Sequence, residues 1–316
     1  MLKHFLDNVV WVLIVAFSIL AGVLDPFFLS VENLQNVLVQ ATTLGILVLA
    51  VSFTLIIGEI DLSIIGNLIF SAMVGALSIQ NLHLHWTIGV ALTVLTGLLV
   101  GMLNGVFIAY FRMNSLIATL AMGLLLQGAV LAATHARTLV VADEGYSYVG
   151  SATIGTWPVM PLALLVAYLI AFVVLSRTRW GRSLYATGGN RKAAFAAGID
   201  VRKQRLSAFS AAGFLAGIAG FLYASYLGGV NVTVGSTTLL YAVAAPVIGG
   251  VSLLGGRGRV TGMLGGTLLI TVIQTGLQLV NVSAFFIQMI AGAMILLAVA
   301  VDAIRVHHDE LGARGS

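Results

Sequence analysis

The chain has 316 residues, of which 59% are hydrophobic and only 8% are charged. Soluble domains carry about 25% charged residues, so this composition excludes a soluble enzyme. Ten membrane spans of about 20 residues each would use roughly 200 residues, which leaves little of the chain for a domain outside the bilayer. The sequence contains no cysteine, and this excludes disulfides, thiolate metal sites and cysteine nucleophiles.

Apolar runs of about 20 residues recur along the whole chain. They predict ten membrane-spanning helices, at 9–24, 34–57, 62–80, 87–110, 115–134, 157–175, 207–227, 239–255, 260–280 and 284–303. The predicted fold class is therefore an all-α polytopic membrane protein, with some helices short or broken, in which residues 1–316 form one transmembrane domain. An eight-span count stays open, because the short segments around Ile64 and Ala245 fit broken or re-entrant helices.

Charge is concentrated between Ser176 and Leu206, where eight basic residues accompany a single acid, Asp200. Short loops rich in Lys and Arg stay on the cytoplasmic side of a membrane, so this segment orients the protein. Counting spans from it places both termini and the tail 304–316 in the cytoplasm, with Arg137 as the only basic residue outside. A basic patch is also typical of nucleic-acid binding, but topology explains a charge confined to one inter-helix loop. We expect membrane lipid and no nucleic acid as a partner.

Glycine accounts for 36 residues, and many of them recur at four-residue spacing. Gly97, Gly101 and Gly105 follow this spacing in the fourth predicted span, and Gly213 and Gly217 follow it in the seventh. Gly262 and Gly266 do the same in the ninth. Small residues at this spacing let membrane helices approach closely, so these positions predict helix-packing surfaces.

Two acidic residues, Glu59 and Asp61, interrupt apolar sequence between the second and third predicted spans. A carboxylate at membrane depth is costly, so it normally lies in a cavity, at an interface or against a partner. Asp61 is interpreted either as an N-cap of the third span or as part of a solute pathway, and Glu59 is expected to face a polar cavity. Interhelical hydrogen bonding is the alternative for the amides inside the spans. The candidate pathway residues are Glu59, Asp61, Ser63, Asn67, Asn104 and Gln127.

No Gly-x-x-x-x-Gly-Lys-Ser/Thr sequence occurs, so the chain does not hydrolyse ATP through a P-loop of its own. His83 and His85 have no third ligand in view and fit an interfacial turn beside Trp86. We therefore expect no metal and no cofactor in this chain.

A short helix is predicted inside the basic segment. Asn190 is a good N-cap, Arg191 to Ala197 has high helix propensity, and Gly198 supplies the stop. A pair of glycines just before Asn190 is expected to break the chain. The alanine faces and the single Phe195 suit docking into a groove of another protein, with Phe195 as the anchor. A solvated linker helix is the alternative.

The stretch Gly181-Arg-Ser-Leu-Tyr-Ala-Thr-Gly-Gly-Asn190, followed by Ala193-Ala194 and Gly198, resembles the cytoplasmic coupling loop of monosaccharide ABC importer permeases of the ribose, xylose and arabinose group. Four further stretches agree with this family in order: Gly58-Glu-Ile-Asp-Leu-Ser63, Leu103-Asn-Gly-Val-Phe-Ile-Ala109, Ile117-Ala-Thr-Leu120 and Val247-Ile-Gly-Gly-Val-Ser-Leu-Leu-Gly-Gly-Arg-Gly258. The resemblance covers residues 40–300. Glu59 and Ile65 depart from it, standing where the family commonly has small residues.

The resemblance implies a translocation subunit in the bacterial inner membrane that carries a sugar or a similar small polar solute delivered by an external binding protein. It implies a second permease, identical or a sister chain, and separate ATP-binding subunits that bind and hydrolyse ATP. The residues implied in coupling to these ATPases are Asn190, Arg191, Lys192, Ala193, Ala194, Phe195 and Gly198. The alternative function is an ion-coupled secondary transporter that uses Glu59 and Asp61.

Overall fold

The computed structural model describes residues 2–232, 236–283, 285–294, 296 and 300, and helices dominate this part of the chain. The helices are α1 Leu2–Leu24, α2 Val31–Ile56, α3 Ile64–Leu82, α4 Trp86–Ala109, α5 Ser115–Thr134, α6 Glu144–Ser151, α7 Met160–Arg177, α8 Arg179–Gly189, α9 Arg191–Ala196, α10 Val201–Leu227, α11 Ser236–Ile248, α12 Val260–Leu279 and α13 Phe285–Met294. A 3₁₀ turn, Pro26–Leu29, links α1 to α2.

Seven of the described helices are long and apolar enough to cross a membrane, namely α2, α3, α4, α5, α7, α10 and α12. Shorter apolar helices cover Val9–Leu24, Thr237–Ile248 and Phe285–Met294. Each of the ten predicted spans thus coincides with an apolar helix, and ten is an approximate count of crossings. The all-α polytopic fold is confirmed, and the described residues include no soluble domain. The predicted tail 304–316 lies outside the described residues.

Two spans differ from their predicted bounds for identifiable reasons. α10 begins at Val201 rather than 207, because the Asp200 carboxylate accepts the Lys203 N–H at 3.1 Å and caps the helix in the polar segment. α11 ends at Ile248 rather than 255, because two glycines follow it and Gly250 has a φ of 87°.

Helix α2 lies at the centre of the bundle, in contact with α7, α10, α11 and α12, and none of its last sixteen residues, 41–56, is exposed. Helices α5 and α7 lie at the periphery and bury only a minor part of their surfaces. An enclosed helix that is apolar all round is typical of a membrane-protein core, while the peripheral helices offer their apolar faces to lipid or to a partner.

The glycine-spaced faces pack as predicted. A Cβ added to Gly97 would lie 2.6 Å from the Gly213 carbonyl oxygen, and one added to Gly101 would lie 2.8 Å from the Gly213 Cα. Side chains at these positions would collide with backbone, so α4 and α10 are in direct main-chain contact. Gly266 of α12 meets the backbone of α11 in the same way, and Gly262 meets the backbone of the residue that directly follows α11.

The ends of the bundle differ in structure. The end that carries 176–206, here called the basic end, holds α8, α9, the segment 57–63 and the loop 251–259. The opposite end holds α6 and two short antiparallel ladders, in which Leu139–Val140 pairs with Gly229–Val230 and Thr153–Ile154 pairs with Trp157–Pro158. The sequence did not predict α6, whose N-cap Asp143 accepts the Tyr146 N–H at 2.9 Å.

The basic segment contains two helices, of which only α9 was predicted. Asn190 caps α9 by accepting the Ala193 N–H at 3.0 Å, and Gly198 follows it with a φ of 83°. The chain break predicted at Gly188 and Gly189 is wrong, because both glycines belong to the last turn of α8. The change of direction falls at Asn190, whose backbone is extended.

Candidate functional site

The segment 57–63 begins with a tight stop at the end of α2. Gly58 has a φ of 70°, its N–H donates to the Leu55 carbonyl at 2.8 Å, and the Glu59 N–H donates to the Thr54 carbonyl at 3.0 Å. These two bonds form a Schellman motif, in which glycine adopts the left-handed conformation without strain. The stop places Glu59 directly after the central helix, at the basic end.

The Glu59 carboxylate lies between two arginines and is only 6% exposed. Arg191 from α9 approaches its Oε1 at 2.8 Å, and Arg205 from α10 approaches the same oxygen at 2.6 Å. Arg191 Nη2 also donates to the carbonyls of Ile57 and Gly58, at 3.4 and 3.3 Å. We call this group of Glu59, Arg191 and Arg205 the arginine clamp. It ties the end of α2 to the predicted coupling helix.

A second polar group follows two residues later and is fully enclosed. The Asp61 Oδ1 accepts the Ser63 N–H at 2.9 Å and the Ser63 hydroxyl at 2.6 Å, and Asn104 of α4 donates its Nδ2 to the Ser63 Oγ at 2.8 Å. Burial raises the pKa of the Asp61 carboxyl, against the lowering effect of the Ser63 hydrogen bonds. Within the described residues, no Lys or Arg lies within 4.0 Å of Asp61.

The N-cap interpretation of Asp61 is wrong by two residues. Helix α3 begins at Ile64, so its N-cap is Ser63, whose side chain makes no capping bond. Asp61 instead bonds the cap residue itself and holds the segment in a turn.

Helix α5 supports the same segment from the other side. Thr119 accepts the Leu62 N–H at 2.9 Å and donates its hydroxyl to the Ser115 carbonyl of its own helix at 2.8 Å, with the Ile60 carbonyl 3.3 Å away. Nearby, Asn67 of α3 donates its Nδ2 to the Gly97 carbonyl at 3.1 Å. The carbonyl oxygens of the Asn67 and Asn104 side chains are buried and have no hydrogen-bond partner.

The structure thus brings together four of the six candidate pathway residues, Asp61, Ser63, Asn67 and Asn104, between α3 and α4. Glu59 lies beside them in the arginine clamp, with ion-pair partners around it. Gln127 is apart from the group, on the exposed face of α5. A pathway role for these residues stays a prediction. Among the described residues, no group of three His, Cys, Asp or Glu side chains is arranged to hold a metal ion.

Helix α8, which directly precedes α9, is fixed to the rest of the bundle by side-chain contacts. Trp180 stacks on Phe53 of α2 with ring centroids 5.5 Å apart and donates its Nε1 to the Ser207 hydroxyl at 2.8 Å. Tyr185 donates its hydroxyl to the Gly258 carbonyl at 2.9 Å. The ring stack and the two hydrogen bonds fix α8 to α2, α10 and the loop 251–259.

Helix α9 presents the predicted anchor outward. Ala194 is 4% exposed, whereas Phe195 is 74% exposed and Arg191, Lys192 and Ala193 are also on the surface. An exposed aromatic side chain on a short, well-capped helix, seated on a fixed neighbour, is suited to a helix-in-groove contact.

Sequence reasoning missed the importance of Arg205, Trp180 and Tyr185. A buried carboxylate without a partner is costly, so Glu59 pointed to a nearby cation, but several basic residues of 176–206 were equally available. Trp180 and Tyr185 lie on a helix too polar to match the apolar pattern of a membrane span.

Comparison with known proteins decides the family. The sequence profile described as "Branched-chain amino acid transport system / permease component" matches residues 33–299. The chain belongs to this permease family. The permease is 34% identical over 303 residues to the L-arabinose ABC transporter permease protein AraH of Azospirillum brasilense, covering 95% of this chain and 88% of that protein.

Two further relatives are also described as permease proteins. The permease is 34% identical over 287 residues to the ribose import permease protein RbsC of Escherichia coli K12, with 90% of this chain and 89% of the relative covered. It is 30% identical over 295 residues to the D-allose transport system permease protein AlsC of the same strain, with 92% and 90% covered. No solved structure gives a significant match.

The permease is therefore the membrane component of an ABC importer and a multi-pass protein of the inner membrane. It is a transport subunit rather than an enzyme, and ATP hydrolysis belongs to a separate ATPase subunit. The ion-coupled alternative receives no support from these relatives.

Proposed function

We propose that the permease imports a sugar or a similar small polar solute, which an external binding protein delivers. The names of the relatives support a sugar, since they are described as permeases for L-arabinose, ribose and D-allose. In this proposal the chain itself holds no cofactor, and ATP binds to the partner ATPase subunits. A second permease, as an identical copy or a sister chain, completes the membrane part.

The observation that carries the assignment of the ATPase contact is the exposed Phe195 on α9. It projects from the basic end, whose Lys and Arg content favours the cytoplasm, where the ATPases must lie. The proposed contact comprises the α9 residues and their caps: Asn190, Arg191, Lys192, Ala193, Ala194, Phe195 and Gly198. Both termini lie on the cytoplasmic side in this orientation.

The enclosed polar group between α3 and α4 lies near this contact, and we propose that it borders the solute pathway. It is reached from α9 through Glu59, so movement of the coupling helix has a short route to it. Hydroxyl and carboxamide groups are suited to a sugar, because each can both donate and accept hydrogen bonds.

The test is co-purification of the ATPase with Phe195→Ala. Truncating a central aromatic anchor typically costs about 2 kcal/mol or more of binding energy, which is roughly a twenty-fold loss of affinity. We expect the variant to lose the ATPase and, with it, uptake of labelled D-ribose, L-arabinose or D-allose.

Tyr148→Ala is the matched control, because Tyr148 is a comparably exposed aromatic, 68% exposed, on α6 at the opposite end. It should retain the ATPase at the wild-type level. Normal ATPase content in Phe195→Ala would show that α9 is a solvated linker.

A further inference from the structure

The arginine clamp joins three separate parts of the chain at one carboxylate. Glu59 follows the central helix α2, Arg191 begins the coupling helix α9, and Arg205 lies in the first turns of α10. Both guanidinium groups address the same oxygen, Oε1. The Glu59 carboxylate thus connects the surface helix α9 to the membrane helices α2 and α10 through two ion pairs.

The two arginines are held very differently. The side chain of Arg205 is 14% exposed, and its Nε is buried without a partner, so its charge depends on Glu59. The side chain of Arg191 is 46% exposed and can be rehydrated in place. If Arg191 withdraws, Glu59 keeps a counter-charge from Arg205, so no buried carboxylate is left unpaired. The Arg191 contact can therefore open at low cost, whereas opening the Arg205 contact would leave a buried guanidinium group unpaired.

Arg191 also contacts the backbone of the segment 57–63. Besides the carboxylate, Arg191 Nη2 reaches the carbonyls of Ile57 and Gly58, so it grips the chain immediately after α2. Two residues beyond Glu59, the Asp61 side chain holds Ser63, and Ser63 in turn accepts from Asn104. Arg191 therefore connects α9 to this enclosed group with no other helix in between.

We propose that Glu59 is a positioning residue for transport, and that its contact with Arg191 is a releasable tie that couples movement of α9 to the segment 57–63. This inference rests on the proposed docking of the ATPase at α9. It assigns the transmission step to one ion pair and leaves the Arg205 contact as its fixed anchor.

The experiment uses the permease purified in complex with its ATPase and reconstituted in lipid nanodiscs. Because the chain has no cysteine, Ile60→Cys provides a single reporter within the segment. The rate of its reaction with a maleimide is measured without nucleotide and after trapping with ATP and vanadate. We expect the two rates to differ several-fold in the Ile60→Cys protein, and to be equal once Arg191→Gln is added.

Arg202→Gln is the matched control, since it makes the same substitution at an exposed position in the first turn of α10, which lies outside the proposed ATPase contact and makes no ion pair within the described residues. It should keep the nucleotide response, as should Arg191→Lys, which preserves the charge. Glu59→Gln should lose the response together with Arg191→Gln. Solute is not needed for this readout.

A nucleotide response that persists in Arg191→Gln overturns the proposal, and so does its absence from the Ile60→Cys protein with the ATPase bound. Loss of the ATPase from Arg191→Gln but not from Arg202→Gln also overturns it, because docking alone would then account for the role of Arg191 in the proposed contact. Failure of the proposed function has a different signature: no ATPase would co-purify with any of these proteins, including the one without substitutions on α9.

Discussion

Replacing Gly101 by alanine tests the main-chain contact between α4 and α10. The added Cβ would lie 2.8 Å from the Gly213 Cα and closer still to the Phe209 carbonyl oxygen. Carbon atoms in van der Waals contact are about 3.5–4.0 Å apart, so the two helices must separate locally by roughly 1 Å. Neither neighbouring group can yield by rotating a side chain, because both are backbone.

The separation sets the size of the effect. A gap of about 0.5–1 Å forfeits a quarter to a half of the dispersion energy of each contact that it opens. Overpacking of this kind typically destabilises a protein by about 1–3 kcal/mol, and backbone against backbone belongs at the upper end. Gly128→Ala is the matched substitution, since Gly128 is also inside a helix and has nothing within 4 Å of an added Cβ. Alanine there should be neutral or stabilise by up to about 1 kcal/mol.

The measurement is the midpoint of thermal unfolding in detergent, followed by tryptophan fluorescence, for the two variants beside the unsubstituted permease. The Gly101 variant should unfold at a clearly lower temperature, and the Gly128 variant at the same or a slightly higher one. Equal midpoints for the two variants would refute close helix contact as the reason for glycine at position 101.

Three further predictions concern the site and the orientation. Asp61→Asn should unfold like the unsubstituted permease, because an amide oxygen accepts the same two bonds, whereas Asp61→Ala should unfold earlier; equal losses would contradict this. Glu59→Gln should destabilise the permease by about 3 kcal/mol, because it leaves the buried Arg205 guanidinium unpaired, while Arg191→Gln should cost under about 1 kcal/mol. Equal thermal midpoints for these two variants would contradict the unequal contributions of the two ion pairs. In intact cells an impermeant maleimide should label Tyr148→Cys and not Ala197→Cys, and the reverse pattern would invert the orientation.

The membrane helices could be predicted from sequence because each has a simple local cause. α5 was predicted at 115–134 and has those bounds, since Asn114 caps its start and His135 ends it in the left-handed conformation. α9 was predicted from its cap and its terminal glycine for the same reason. The sequence does not predict α6 and α8, because both are short and polar and lack the apolar run that marks a membrane span.

The clamp could not be predicted, because its partners are distant along the chain. Sequence showed that Glu59 needed a cation or a cavity, and a cavity was expected. Arg205 was assigned only to the loop charge, although the early start of α10 brings it into the bundle. The Asp61 carboxylate can accept a hydrogen bond from the Ser63 N–H or from a later backbone N–H, and the sequence does not distinguish these two turns.

The enclosure of α2 has a mechanical consequence. Its 26 residues make a rod about 39 Å long, which begins after the Ser30 cap and ends three residues before Glu59. A tilt of about 3° about the midpoint shifts each end by roughly 1 Å in opposite senses, as that length requires. Because close-packed neighbours surround residues 41–56, this part of the helix cannot tilt without moving the helices around it. Such a tilt would move the packed helices together with α2 and would displace the two ends of the bundle in opposite directions.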